Sequence, residues 1–152
     1  MTSDTTPSGT CQADFYVLQQ PSADVSRVTC DLALTMWERN QQVFIVTQTE
    51  TAGKQLDELM WRYPEGRFLP HALTGGTEAG KAMVNIGTLS ALNPVDVVIN
   101  LCPEVIPQPE RFKRILEIVP FADEDRIASR EKFRAYRELG LTPRMQKIRA
   151  CE

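Results

Sequence analysis

Three short apolar runs, each bounded by turn or polar residues, limit the folds open to this chain more than any other feature. Asp14–Gln19 reads DFYVLQ, Gln42–Thr47 reads QVFIVT and Val95–Leu101 reads VDVVINL. They are too short for helices. Their β-branched and aromatic residues are apolar at consecutive positions, the pattern of strands buried on both faces. Such strands belong to a sheet covered by helices.

The stretches after the first two runs supply those helices. From Ala23 to Arg39, the residues Val25, Val28, Leu32 and Met36 recur at helical spacing, flanked by Cys30, Ala33 and Trp37, with Ser22 placed to cap. Thr49 to Tyr63 repeats the theme with Leu56, Leu59, Met60 and Tyr63, and Pro64-Glu65-Gly66 ends it. The order β, α, β, α implies parallel strands joined by right-handed crossovers. Arg67–Leu73 adds an extended piece and Lys81–Thr88 (KAMVNIGT) a further strand, giving a sheet of about four or five strands. Beyond Pro103, Pro107 and Pro109, the spacing of Phe112, Ile115, Leu116 and Val119 predicts a third helix. A last helix runs from near Asp123 to Gly140, and a basic tail follows from Leu141.

The expected fold is a single-domain, three-layer Rossmann-like α/β fold, its sheet mostly parallel and its last helix basic. Residues 1–12, rich in Thr, Ser, Gly and Pro, read as a disordered tail; 13–141 hold the domain and 142–152 a second tail. At 152 residues and 42% hydrophobic the chain suits one core. It has no run of 18 or more apolar residues, and Met1–Gln12 lacks the basic and apolar regions of a signal peptide, so a cytoplasmic protein with no membrane partner is expected. Four widely spread cysteines with no CxxC indicate neither zinc nor a disulfide framework.

The net charge of −3 hides an asymmetry. Residues 1–125 carry 9 basic and 17 acidic side chains, whereas 126–149 carry 8 basic and 2 acidic. The positive charge is local, which argues against a surface built to hold DNA along its length. On the last helix Arg126, Arg130, Phe133, Arg134 and Arg137 fall within about 100° of arc, with Ala128, Ala135 and Leu139 opposite. Arginines spaced by four repel, at about 0.2 to 0.5 kcal/mol per pair, so the series does not help the helix itself. Guanidinium forks around a phenyl ring fit an acidic peptide ending in a hydrophobic side chain. Nucleic acid is the competing ligand, and a plain solvated face is the uneventful alternative.

Trp61 borders the apolar stripe of the second helix, with Phe68 and Pro70 soon after, a composition typical of interface centres. A Trp covering a sheet edge would look the same. Other candidates lead nowhere chemical. Gly75 to Ala82 (GGTEAGKA) has the GxxxxGK spacing of a P-loop, the basis of an alternative reading as a nucleotide-binding enzyme, but Ala82 stands where a hydroxyl should reach magnesium and a strand follows where a helix should. His71 is the only histidine and no nucleophile pattern surrounds it, while Asp57 and Glu58 would diverge by about 100° on a helix. No catalytic residue, cofactor or metal is expected.

Taken together, ADFYVLQ, CDLALTMW, LDELMWRYPEGRFLPHAL, VDVVINL and EIVPFADEDRIASREKFRAYRELG resemble, in collinear order from about Ala13 to Leu141, the chi subunit family of bacterial DNA polymerase III holoenzyme. The resemblance implies a non-catalytic accessory subunit in the clamp-loader complex, working in the cytoplasm at the replisome. It implies two partners: the psi subunit as a heterodimer, and the acidic C-terminal tail of single-stranded-DNA-binding protein, which ends in Ile-Pro-Phe with a free carboxylate. DNA would be met only indirectly. Carried onto this sequence, the tail site comprises Val119, Arg126, Arg130, Phe133, Arg134 and, from the same arginine face, Arg137; the psi site comprises Trp61 and Phe68. The resemblance leads one to expect tyrosine in place of Phe133, and lysine in place of Arg126 and Arg134.

Overall fold

The computed structural model describes residues 11–22, 24–63, 70–73 and 84–148. Seven strands form one sheet: Gln12–Leu18 (β1), Val43–Thr47 (β2), His71–Leu73 (β3), Val84–Thr88 (β4), Val97–Asn100 (β5), Arg114–Val119 (β6) and Arg144–Ile148 (β7). Their order is β3-β4-β2-β5-β6-β1-β7, and all six pairings are parallel. Three helices, Val25–Glu38 (α1), Glu50–Met60 (α2) and Asp123–Glu138 (α3), complete an α/β fold of the Rossmann-like kind expected.

Both faces of the sheet are buried, which is why its strands read as unbroken apolar runs. On one face Tyr16, Leu18, Ile45, Ile86 and Ile99 pack with Cys30, Ala33, Met36, Leu56 and Met60 of α1 and α2. On the other, Phe15, Val17, Phe44, Val98 and Ile115 meet Tyr136 of α3 together with Ile106 and Phe112 from the loop before β6. Side chains alternate between the two layers along every strand.

Three expectations need correction. Residues Phe112, Ile115, Leu116 and Val119 are not a helix. After a short 3₁₀ turn at Pro109–Arg111, the segment Arg114–Val119 is β6, held between β5 and β1. Its residues Ile115–Val119 are buried throughout, and a run packed on two faces mimics helical spacing by accident. The stretch read as a basic tail contains β7, paired with β1, so the sheet has seven strands rather than four or five. What makes β7 legible is tertiary: Asp14, wholly buried in β1, accepts from Arg114 of β6 at 2.6 Å and from Arg144 of β7 at 3.2 Å. Finally, α1 is capped by Asp24, which accepts from Ser26 N at 2.9 Å, rather than by Ser22.

Candidate functional site

Helix α3 begins at Asp123, with Asp123, Glu124 and Asp125 in its first turn where the helix dipole favours negative charge. Gly140, at φ +96°, follows its end. A buried polar network fixes its rotation. Glu117 of β6 is 2% exposed. Its carboxylate accepts from Lys132 Nζ at 2.8 Å, Tyr136 Oη at 2.6 Å and Asn100 Nδ2 at 2.7 Å. Lys132 also donates to the Cys102 carbonyl at 2.6 Å, and Tyr136 Oη accepts from Ile106 N at 3.0 Å. Burial pushes the Glu117 carboxyl above its ordinary range, and the Lys132 ammonium and the two neutral donors pull it back. The same burial, beside that carboxylate, pushes the Tyr136 hydroxyl strongly upward.

The inward face of α3 is therefore Ser129, Lys132, Phe133 and Tyr136, and not the Ala128, Ala135 and Leu139 side expected; Ala128 and Leu139 are exposed. A small apolar stripe lost to a polar network that satisfies a buried acid, an outcome that residue hydrophobicity cannot foretell. A crevice of about 240 Å³ opens beside the network at the carboxyl ends of β5 and β6, walled by Asn100, Cys102, Ser129 and Lys132.

The arginine flank adjoins this face and reaches the carboxyl end of β1 through Arg126. Arg126 is half-buried: Nε donates to the Phe121 carbonyl at 3.1 Å, an Nη donates to the Leu18 carbonyl at 3.0 Å, and its guanidinium lies 5.2 Å from the Phe121 ring centre. Part of its donor capacity is thus spent on the chain's own backbone. Arg130, Arg134 and Arg137 are exposed. Arg134 makes a surface pair with Glu131 at 3.4 Å; among the described residues no hydrogen bond or ion pair engages Arg130 or Arg137. Phe133 lies partly buried against Phe15, ring centres 5.3 Å apart, and Phe121, just ahead of the helix start, is 41% exposed. Val119 is buried beneath, part of the core rather than the surface. Of the residues the sequence assigned to the tail site, Arg130, Arg134 and Arg137 lie exposed on α3, Arg126 and Phe133 are partly buried, and Val119 lies in the core.

At the opposite edge of the sheet, Trp61 follows α2 and is 63% exposed. It rests on His71, ring centres 5.0 Å apart, while His71 Nε2 lies 3.1 Å from Asp57 Oδ1 and 3.3 Å from the Asp57 carbonyl. The lone histidine thus braces an exposed indole. Phe68 and the GGTEAGKA stretch lie outside the described residues. Among the described residues no cluster of three His, Cys, Asp or Glu side chains is arranged to hold a metal ion, and no helix is long and apolar enough to cross a membrane.

A family model described as DNA polymerase III chi subunit, HolC, matches residues 11–144. This chain belongs to the DNA polymerase III chi subunit family. Among curated relatives, the chi subunit of Pseudomonas aeruginosa is 34% identical over 132 residues, covering 85% of this chain and 91% of that protein. The chi subunit of Escherichia coli K12 is 28% identical over 135 residues, covering 84% and 92%. Solved structures speak to the fold alone. Phage T4 UvsW superposes with a TM-score of 0.69 at 6% identity, and the Saccharomyces cerevisiae Dbp5 complex with Nup159 and Gle1 with 0.64 at 11%. The chi-family chain covers 42% and 43% of those two chains. The resemblance drawn from the sequence motifs is thereby shown.

Proposed function

We propose that this chi-family subunit is a non-catalytic adaptor of the clamp-loader complex. It holds the psi subunit through the Trp61 surface, with Phe68 contributing, and the acidic C-terminal tail of single-stranded-DNA-binding protein through the basic flank of α3. DNA is reached only through that second partner, and the protein works at the cytoplasmic replisome. The observation that supports this most is the exposed pair Arg130 and Arg137, unpaired among the described residues, beside Arg134 on the helix that carries Phe133, with Phe121 held against Arg126 at its start. Gathering like charges on one helix flank costs stability, and a ligand with carboxylates reverses that cost. Arg126, anchored to Leu18 and Phe121, holds the near end of the groove in shape, which leaves Arg130 to take the terminal carboxylate. Each contact is modest alone; two partners tethered at one fork make it effective through high local concentration.

The test is fluorescence anisotropy with a labelled tail peptide. Arg130→Ala is expected to weaken binding by about 1.5 kcal/mol, roughly tenfold, the scale of a lost charge-assisted hydrogen bond. Unchanged affinity would overturn the tail site. Trp61→Ala is expected to abolish co-purification with psi and leave peptide binding intact. Bare single-stranded DNA that binds as tightly as the peptide would favour nucleic acid as the flank's ligand instead.

A further inference from the structure

The sheet ends at β7 on the side of the basic flank. Its inner edge pairs with β1 from Asp14↔Arg144 to Leu18↔Ile148, and among the described residues no strand pairs with its outer edge. Backbone N–H and C=O groups therefore line that edge, a template for one more strand. The side chains there carry a consistent sign. The strand reads RMQKI, with no acidic residue, and Arg144, Met145, Gln146 and Lys147 are all exposed. Opposite Phe15 and Val17 in the register, Met145 and Lys147 fall on the α3 side of the sheet. Arg144 and Gln146 fall on the other side, opposite Asp14 and Tyr16. Each face of the edge thus offers a cation, Arg144 remaining 61% exposed although its Nε donates to the buried Asp14, and Met145, 51% exposed, offers apolar surface on the Lys147 face.

We infer that the outer edge of β7 is a docking track on which an extended acidic peptide segment adds to the sheet as an eighth, parallel strand. This rests on the tail-binding reading above and extends that site from helix to sheet edge. Charge complementarity selects the occupant: a second copy of this chain would set Arg144 and Lys147 against their own equivalents, whereas aspartates three positions apart on a strand point to opposite faces and meet Lys147 on one and, on the other, the part of the Arg144 guanidinium that Asp14 leaves exposed. Direction follows from the same geometry. A peptide whose terminal carboxylate sits at Arg130, with its last residue near Phe121 at the carboxyl ends of the strands, runs alongside β7 in the same sense as β7. Five residues of β7 give about 16 Å of track, enough for five residues upstream of the terminal group. Main-chain bonds supply affinity and alternate side chains supply selectivity, as in other strand additions.

The experiment compares three probes on the full chain by isothermal titration: the tetrapeptide Asp-Ile-Pro-Phe, an acidic decapeptide ending in the same four residues, and that decapeptide N-methylated at either the odd or the even positions of its acidic segment. The decapeptide is expected to bind at least tenfold tighter than the tetrapeptide. One methylation pattern, the one that blocks the amides facing β7, removes most of the gain, and the other leaves it. Lys147→Glu reduces the gain without changing tetrapeptide affinity. Equal affinity of the two lengths, or equal affinity of both methylated forms and the parent, overturns the strand addition while the terminal pocket stands. A tetrapeptide that does not bind overturns the pocket and the track together. A dimer in sedimentation that Lys147→Glu dissociates, or a length gain that emerges only after deletion of residues 1–10, assigns the edge to another occupant and also overturns it.

Discussion

At the scale of single residues, the burial of Glu117 explains more than the exposed arginines do. A carboxylate 2% exposed survives because its oxygens accept from Lys132, Tyr136 and Asn100. Lys132→Met is expected to destabilise the fold by about 3 to 5 kcal/mol, because it strands a buried charge. Tyr136→Phe should cost less, about 1 to 3 kcal/mol, by removing one donor and leaving the Ile106 amide unpaired. Urea denaturation measures both. Burial raises the Glu117 pKa from 4.5, so in the window above 4.5 the native state holds a proton that the unfolded state has lost, and stability falls as pH rises through the folded value. Lys132→Met removes the main opposing charge and should push that fall to higher pH, readable as a steeper drop in urea midpoint approaching neutrality. Cysteines show the same physics. Burial pushes the Cys11 and Cys30 thiols from 9.0 up to about 12, so both are expected to resist iodoacetamide at about pH 8.5 in the folded chain and to react once it unfolds. Rapid native alkylation at both positions would contradict their burial.

Elements were legible to different degrees, for reasons that lie in the packing of each. Strands β1, β2 and β5 sit deep in a sheet covered on both faces, and their unbroken apolar runs announce them. β6 is just as buried, but Glu117 interrupts its run and the surviving apolar positions fall at helical intervals. Edge strand β7 has little apolar surface to bury, so its sequence carries almost no periodic signal. Helix α3 gave its limits correctly through its acidic first turn and Gly140, yet not its inward face. Its ending rests on a left-handed residue and the backbone bonds it permits: Gly140 has φ +96°, the Leu141 amide returns to the Tyr136 carbonyl at 3.0 Å, and a Cβ on Gly140 would meet nothing within 4 Å. Gly140→Ala is accordingly expected to cost about 1 kcal/mol through left-handed backbone strain, with no loss of tail-peptide affinity. A circular-dichroism melt alongside anisotropy checks both halves of that statement.

Across the whole molecule, the two proposed surfaces stand towards opposite edges of one sheet: Trp61 beside β3, and the arginine flank anchored through Arg126 at the end of β1, next to the edge strand β7. Six interstrand spacings separate the edge strands, about 29 Å in all, and a rigid parallel sheet lies between. Sites that far apart with no shared side chains should add rather than couple. Bound psi is therefore expected to leave tail-peptide affinity within about twofold, and a larger shift either way would reveal a linkage that the static fold does not display. The tail site should also weaken steadily between about 50 and 300 mM salt as its exposed cations are screened, whereas the Trp61 contact should barely respond.

The sequence by itself determined the family, the α/β class with parallel strands, the boundaries of α3 and the arginine flank, because local periodicity, caps and charge need no distant partner to be read. Tertiary structure alone decided that β6 and β7 are strands, that Asp14 ties β1 to both neighbours, and that α3 turns Lys132 and Tyr136 inward onto Glu117. Those outcomes depend on residues fifteen or more positions apart finding each other in a water-poor interior, where an unpaired charge is costlier than a misplaced alanine.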